Sequence, residues 1–110
     1  GCSMRTVNDV AALADPATGV AAYVSYAGGW NVFGGTSVSA PLVAAMYALA
    51  GNGSSINNAA SLYANASSFT QVLPMPNGVC SIVYLCDDVG VSAGYTGPSG
   101  VGTPSGLTGF

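Results

Sequence analysis

An uninterrupted apolar run from Ala40 to Ala50 follows a Gly-Gly-Thr-Ser corner, and this junction constrains the fold more than any other feature of the sequence. Eleven residues are too few for a bilayer span, which needs about 20, so the run predicts a helix that is apolar on every face and buried in a layered domain. Proline is tolerated in the first turn of a helix, so Pro41 predicts a start between Ser37 and Ala40. Gly51 is expected to end the helix.

The corner before this helix has two interpretations. Gly34 and Gly35 allow a sharp turn and the close approach of another chain. Ser37 would then lie at the helix N-terminus, where free N–H groups and the helix dipole favour a developing oxyanion. A serine at this position can equally be an ordinary helix cap. The corner therefore predicts either a nucleophile or a capping residue.

Charged side chains are scarce: Arg5 is the single basic residue against four aspartates, the net charge is −3, and 5% of residues are charged, compared with about 25% in a typical domain. Phosphate binding requires basic clusters, so nucleic acid and anionic membranes are excluded as partners. Two explanations remain open. The low content of charged residues could be an adaptation to low pH, where stability that depends on few carboxylates is retained. It could equally mean that other parts of a larger protein cover much of this surface.

Three cysteines predict an oxidising, extracellular setting. Cys80 and Cys86 enclose five residues, and a disulfide there would contribute about 2 kcal/mol. Cys2 is left over, which suggests a partner before residue 1. Metal binding by these cysteines is disfavoured, because the chain has no histidine and no Cys-x-x-Cys pair. With no initiator methionine and no signal peptide, the chain is expected to begin inside a larger protein.

Local patterns predict several further elements. Asp15-Pro-Ala-Thr-Gly is a turn, and the glycine-rich tail 94–106 is either a flexible linker or an ordered segment. Asn52-Gly-Ser and Asn65-Ala-Ser fit the N-glycosylation pattern, which is weak evidence alone and has no meaning in a bacterial host. The remaining elements are a strand or an approach to one at 6–13, a hairpin of strands 20–26 and 30–33, a helix at 56–66 and a strand at 68–73.

Three ordered segments resemble one family, the sedolisins, which are serine-carboxyl peptidases with the subtilisin fold. Gly-Gly-Thr-Ser-Val-Ser-Ala-Pro at 34–41 resembles their nucleophile motif. The segments that begin at Arg5 and Asp15 are similar to Arg-x-Val-Pro-Asp-Val and Asp-Pro-x-Thr-Gly, with Asn8 in place of the proline. The tail from Gly94 resembles the closing Gly-Tyr-Asp-Gly-Pro-Thr-Gly-x-Gly-Thr-Pro. The resemblance implies an α/β fold, here the C-terminal part of a three-layer domain with a parallel sheet and a buried central helix.

The resemblance also implies a mechanism for a secreted endopeptidase that works at acidic pH on polypeptides. Ser37 would attack the peptide carbonyl, a Glu would take its proton, and an Asp would orient that Glu. An Asp side chain and the Ser37 N–H would hold the oxyanion. The chain has no Glu, and Asp9 and Asp15 match structural positions of the family, so the base and its partners are expected upstream. Substrate preference is not readable, and residues 1–110 alone are expected to be inactive.

Calcium is the cofactor that the resemblance implies. The matching ligand positions are Gln71-Val72 and, in the tail, Ser92, Gly94 and Thr96. Val72 and Gly94 would contribute backbone oxygens, whereas Gln71 and Thr96 stand where two aspartates are expected. Calcium prefers anionic oxygens, so weak binding is predicted. Asp87-Asp88 could supply replacement oxygens, although a solvated acidic loop is the simpler interpretation.

Two other functions remain open. A degenerate relative could keep the fold for a structural or binding role, which the missing calcium carboxylates favour. An independent small binding module has only the hydrophobic composition in its support, and it requires the chain to fold cooperatively by itself.

Overall fold

The computed structural model describes residues 5–56, 58–72, 79–82, 85–86 and 94–110. Predictions on Cys2, Asn57, residues 74–78, Asp87, Asp88 and Ser92 lie outside these ranges. The elements are β1 (Val20–Val24), β2 (Gly29–Phe33), α1 (Thr36–Ala50), α2 (Ala60–Ala64), β3 (Phe69–Thr70) and β4 (Thr103–Pro104), with short 3-10 turns at Pro16–Thr18, Ser25–Ala27, Gly53–Ser55 and Ala66–Ser68.

The predicted turn and hairpin before the corner are confirmed. Asp15 caps the first 3-10 turn by accepting a hydrogen bond from Ala17 N at 2.8 Å. β1 and β2 pair antiparallel, with Val20 opposite Phe33 and Val24 opposite Gly29. β1 is two residues shorter than predicted because Ser25–Ala27 form a 3-10 turn, which Gly28 closes in the left-handed conformation at φ 83°. The hairpin leads directly into Gly34 and Gly35.

Helix α1 begins earlier than the position of Pro41 led us to predict. The carbonyl of Gly35 accepts hydrogen bonds from the N–H groups of Val38 (2.9 Å) and Ser39 (3.3 Å), so the helix starts at Thr36. Pro41 is therefore the sixth helical residue, and the prediction that it lies in the first turn is wrong. Its missing N–H removes the usual partner of the Ser37 carbonyl. The C-terminal prediction is confirmed, since Gly51 ends the helix at φ 75°.

The elements after α1 are shorter than the sequence predicted. The predicted helix 56–66 is limited to Ala60–Ala64, and Asn58 Oδ1 accepts a hydrogen bond from Ala60 N at 2.8 Å at its start. Within the described part of the predicted strand 68–73, residues 68–72, strand pairing is limited to Phe69 and Thr70, which lie opposite β4. Residues 6–13 form no strand, because their hydrogen bonds go to the tail instead of to a neighbouring strand.

The glycine-rich tail forms part of the core, so the linker interpretation is wrong for its described residues. Val101 is fully buried and packs in one cluster with Leu62, Phe69 and Phe110. Its N–H donates to Asp9 O, and Gly102 O accepts from Ala11 N, both at 2.9 Å. A Cβ at Gly102 would lie 2.3 Å from Thr70 O, and φ there is +104°. Glycine lets the tail backbone insert between two other segments.

Much of the apolar surface in the described structure is uncovered. None of the fifteen residues of α1 is buried, and Leu49 is 73% exposed. One face of the hairpin presents Tyr23, Trp30 and Val32, all more than half exposed. The accessible surface is 7036 Å², whereas a compact protein of this mass exposes about 5,500 Å². The chain therefore leaves apolar faces that a stable domain would cover.

The parallel sheet and the buried central helix remain predictions about a larger domain. In the described ranges, the strands form two antiparallel pairs, β1 with β2 and β3 with β4, and no parallel pair. No helix among the described residues has the length and the apolar character needed to cross a membrane.

The uncovered surface leads to a prediction about the isolated chain. Because α1 buries none of its residues, most of the burial that would stabilise it is missing. We expect residues 1–110 alone to lose far-UV circular dichroism gradually on heating and to bind a hydrophobic dye before heating. A sharp two-state transition without dye binding would contradict this expectation and favour an independent module.

Candidate active site

The turn before α1 requires both of its glycines. A Cβ at Gly34 would lie 2.4 Å from Pro16 N and 2.6 Å from Ala14 O, which are backbone atoms that cannot move aside independently. Gly35 has φ 91° and ψ 169°, a backbone conformation that is essentially restricted to glycine. Its N–H donates to Ala14 O at 2.6 Å. The corner is therefore clamped against residues 14–16, and its shape is fixed.

This corner presents Ser37 as the second residue of α1. The side chain is exposed, and the structure gives its hydroxyl no hydrogen-bond partner among the described residues. The Ser37 N–H belongs to the first four of the helix, which have no acceptor inside the helix. An exposed hydroxyl beside a free N–H at the positive end of a helix is suited to nucleophilic attack and oxyanion binding.

Ser39 holds the start of α1 in place, a role that the sequence reasoning missed. Its hydroxyl donates to Leu13 O at 2.8 Å and lies 3.3 Å from Ala12 O. Together with the bond from Gly35 to Ala14, it fastens the first turn to three consecutive carbonyl groups. A serine in the first turn can bond outside its own helix, but the residue pattern does not show which segment lies there.

An open apolar groove of ≈ 350 Å³ runs beside Ser37, between the hairpin and α1. The hairpin contributes residues from the face opposite Tyr23 and Trp30. Ser37 is the one polar side chain among the residues that line it, which are Val20, Ala22, Phe33, Ser37, Val38, Pro41 and Leu42. The hydroxyl thus lies at the edge of an apolar surface.

No described residue supplies a general base at this site. The chain contains no His, no Glu and no Lys. Asp15 accepts from Ala17 N at 2.8 Å. Asp9 accepts from the Tyr63 hydroxyl at 2.5 Å and pairs with Arg5 at 3.3 Å. The prediction that both aspartates act as structural acceptors is confirmed.

The Asp9–Tyr63 contact also affects the phenol. Burial, and then the hydrogen bond and negative charge of Asp9, raise the pKa of Tyr63 above its ordinary range. Tyr63 therefore stays protonated, and the stability that follows from its raised pKa is complete below about pH 10 and is lost only at higher pH. Lowering the pH therefore does not weaken the Tyr63–Asp9 hydrogen bond by changing the protonation of Tyr63.

The first motif and the closing motif are in direct contact. Tyr95 Oη accepts from Thr6 N at 2.8 Å and donates to Asn8 O at 3.1 Å. Asn8 Nδ2 donates to Pro98 O at 2.6 Å and to Gly97 O at 3.3 Å. Asn8, which stands where the resemblance implies a proline, thus bonds the tail, a contact that was not predicted. The sequence offered one signal for this contact, which is the side-chain amide of Asn8 at a position where the resemblance implies proline.

The two side chains at the implied calcium carboxylate positions, Gln71 and Thr96, are uncharged and make other contacts, and the buried Gln71 Oε1 has no hydrogen-bond partner among the described residues. The hydroxyl of Thr96 pairs with Ser99 Oγ at 2.6 Å and accepts from Ser99 N at 3.0 Å, inside its own turn. Gln71 Nε2 donates to Val101 O at 2.7 Å, which orients this side chain toward the tail backbone. Val72 is exposed, and Gly94 adopts φ 69°. In the described ranges, no group of three or more His, Cys, Asp or Glu could hold a metal.

Calcium is accordingly expected to leave the protein unchanged. A site with a dissociation constant of about 10 μM would add about 2.7 kcal/mol of stability at about 1 mM calcium, which thermal denaturation resolves easily. We expect the full-length protein to have the same melting temperature in millimolar calcium and in excess chelator. A higher melting temperature in calcium would show that residues such as Asp87 and Asp88 replace the missing carboxylates.

A disulfide joins Cys80 and Cys86, whose Cα atoms are 5.8 Å apart. It closes a loop with a sequence separation of 6, far along the chain from the corner. Cys2 lies outside the described residues, so its pairing stays a prediction.

Comparison of the chain with protein-family models, with curated proteins and with solved structures finds no match. The functional argument therefore depends on the residues and on the geometry of the corner.

Proposed function

We propose that this chain is the C-terminal part of the catalytic domain of a sedolisin-like serine-carboxyl peptidase, with Ser37 as the nucleophile. The observation that carries the proposal is the clamped Gly34-Gly35 corner, which presents an exposed Ser37 hydroxyl at the N-terminus of α1. A capping serine would use its hydroxyl to accept from a backbone N–H of the first turn. The Ser37 hydroxyl accepts from no described residue, and Gly35 occupies the N-cap position instead.

In the proposed reaction, the Ser37 hydroxyl attacks the peptide carbonyl carbon and the Ser37 N–H donates to the resulting oxyanion. A Glu from the remainder of the domain takes the hydroxyl proton and later gives it to the leaving amine. An Asp orients the Glu, and a second, protonated Asp donates to the oxyanion. Ser37 is also one of the residues that line the open apolar groove.

The proposed partner of this chain is the rest of its own catalytic domain. Three apolar surfaces are available for it: the exposed side of α1, the outer hairpin face with Tyr23 and Trp30, and the groove. Covering them would bury α1 as the central helix of a layered fold. The low charge of the chain is consistent with such coverage, and with secretion into an acidic medium.

The pH dependence of peptide hydrolysis by the full-length protein tests this proposal. Activity should rise with pH as the Glu ionises, near its ordinary pKa of about 4.3. It should fall at higher pH as the oxyanion-binding Asp loses its proton and can no longer donate. We expect a maximum in the acidic range, between about pH 3 and pH 5. A maximum near neutral pH would indicate a histidine base and would contradict the serine-carboxyl assignment.

A non-catalytic relative is the second candidate. The observation that favours it is the loss of both calcium carboxylates, since Thr96 now stabilises its own turn through Ser99. Such a protein would keep the corner as part of its packing and would show no hydrolysis at any pH.

A further inference from the structure

Two asparagines of this chain stand in the acceptor pattern for N-linked glycans, Asn52-Gly53-Ser54 and Asn65-Ala66-Ser67. Their surroundings in the structure differ. We propose that Asn65 is an N-glycan attachment site of this protein and that Asn52 is not. The proposal rests on the secretory setting of the proposed function, but it does not depend on catalysis.

The amide nitrogen of Asn52 is already used by the fold. Nδ2 donates to the backbone carbonyl of Phe110 at 2.8 Å. Phe110 is buried and packs edge-to-face against the rings of Tyr47 and Phe69. The Asn52 side-chain oxygen is buried as well. A sugar on this nitrogen would displace the carbonyl of Phe110 and would need room that the core occupies.

Asn65 lies in an exposed turn between α2 and β3. Its backbone is fixed, because its N–H donates to Ser61 O at 3.1 Å and its carbonyl accepts from Ser68 N at 2.8 Å. The side chain makes no hydrogen bond to any described residue. Ser67, which completes the acceptor pattern, is also exposed and equally unengaged. A surface position with an unengaged amide, and an unengaged hydroxyl two residues later, leaves room for the bulky group that the modification adds.

The modification forms one bond and breaks one. The Nδ2 atom of Asn65 bonds to the anomeric carbon of an oligosaccharide carried on a lipid diphosphate, the co-reactant of the secretory pathway. The bond between that carbon and the diphosphate oxygen breaks, and the lipid diphosphate leaves. The amide loses one proton and keeps its carbonyl oxygen. The product is a neutral, hydrated group on a surface where charged side chains supply little hydration.

The experiment expresses the full-length protein with a secretion signal in a eukaryotic host and maps glycans by mass spectrometry with and without endoglycosidase. Two matched variants remove the acceptor patterns without touching either asparagine: Ser67→Ala and Ser54→Ala. Both serines are exposed, and neither hydroxyl bonds a described residue, so neither variant should impair folding. Ser37→Ala is present in all of the proteins that are mapped, the parent included, to prevent self-digestion.

We expect one glycan within residues 1–110 of the parent protein, its complete loss in Ser67→Ala and no change in Ser54→Ala. A glycan on Asn52, alone or with one on Asn65, would overturn the proposal, and so would secreted protein without a glycan on Asn65. Because no activity is measured, these outcomes are separate from those that test the peptidase assignment. If Asn65 carries a glycan but the protein with Ser37 intact hydrolyses no peptide, this inference holds and the proposed function is wrong.

Discussion

Replacement of Ser37 by alanine is expected to lower peptide hydrolysis by the full-length protein on the order of 10⁴- to 10⁶-fold, with the melting temperature nearly unchanged. The reason is that the clamped corner presents the exposed Ser37 hydroxyl, which bonds no described residue, at the start of α1, and the loss of a nucleophilic serine removes the covalent step. The measurement is kcat/KM on an unstructured peptide at acidic pH, together with thermal denaturation of the same preparation.

Ser54→Ala is the matched control for this substitution. Ser54 is an exposed serine whose hydroxyl bonds no described residue, so its replacement should leave both hydrolysis and melting temperature unchanged. Ser39→Ala is the informative intermediate, because it removes the bond to Leu13 O and leaves Ser37 present. We expect a moderate loss of kcat, about 10-fold. Equal hydrolysis by the parent protein and Ser37→Ala would end the nucleophile assignment.

Replacement of Val101 by aspartate is expected to destabilise the full-length protein by about 3–5 kcal/mol, the cost of an unpaired charge in a core. Val101 is fully buried. Its N–H bonds Asp9 O and its carbonyl accepts from Gln71 Nε2. The free energy of unfolding in urea near neutral pH measures the effect.

The control for Val101→Asp is a change to aspartate at Leu107, which directly follows the tail and is 40% exposed. We expect a change within about 0.5 kcal/mol there. Val101→Ala should fall between the two, since it removes two methyl groups without adding charge. If Val101→Asp were as mild as Leu107→Asp, the tail would be a linker after all.

The parts of the fold that follow local rules could be predicted from the sequence. The hairpin, the turn at Asp15 and the end of α1 at Gly51 depend on a few adjacent residues, such as Gly28 and Gly51 in left-handed conformations. Their chemistry is visible in the sequence because the residue types that allow it are few.

The elements that were predicted wrongly depend on distant contacts. Pro41 placed the helix start too late because Gly35 begins the helix while bonded to Ala14, a segment twenty-one residues earlier. The glycines of the tail lie against Asp9 and Thr70. Because no local pattern shows these distant contacts, the sequence alone also allowed the tail to be a linker. Residues 6–13 lack a strand for the same reason. These contacts between distant segments cannot be predicted from the local sequence.

The candidate site was predictable in part. Ser37 follows from the glycine-glycine corner and the apolar helix, whereas the role of Ser39 depends on the carbonyls of Ala12 and Leu13. The presence of Gln71 and Thr96 where the resemblance implies aspartates was visible in the sequence, but their partners, Val101 and Ser99, were not. Substrate preference remains unpredicted, since the groove beside Ser37 is open on one side.

The most direct test of the account is the capture of the covalent intermediate. The full-length protein would be mixed with an activated peptide ester at acidic pH, quenched during the first turnovers and digested for mass spectrometry. The account predicts an acyl group on the peptide that contains Ser37, attached at that residue and absent from the Ser37→Ala variant. An acyl group on another residue, or hydrolysis with no covalent adduct at all, would contradict it.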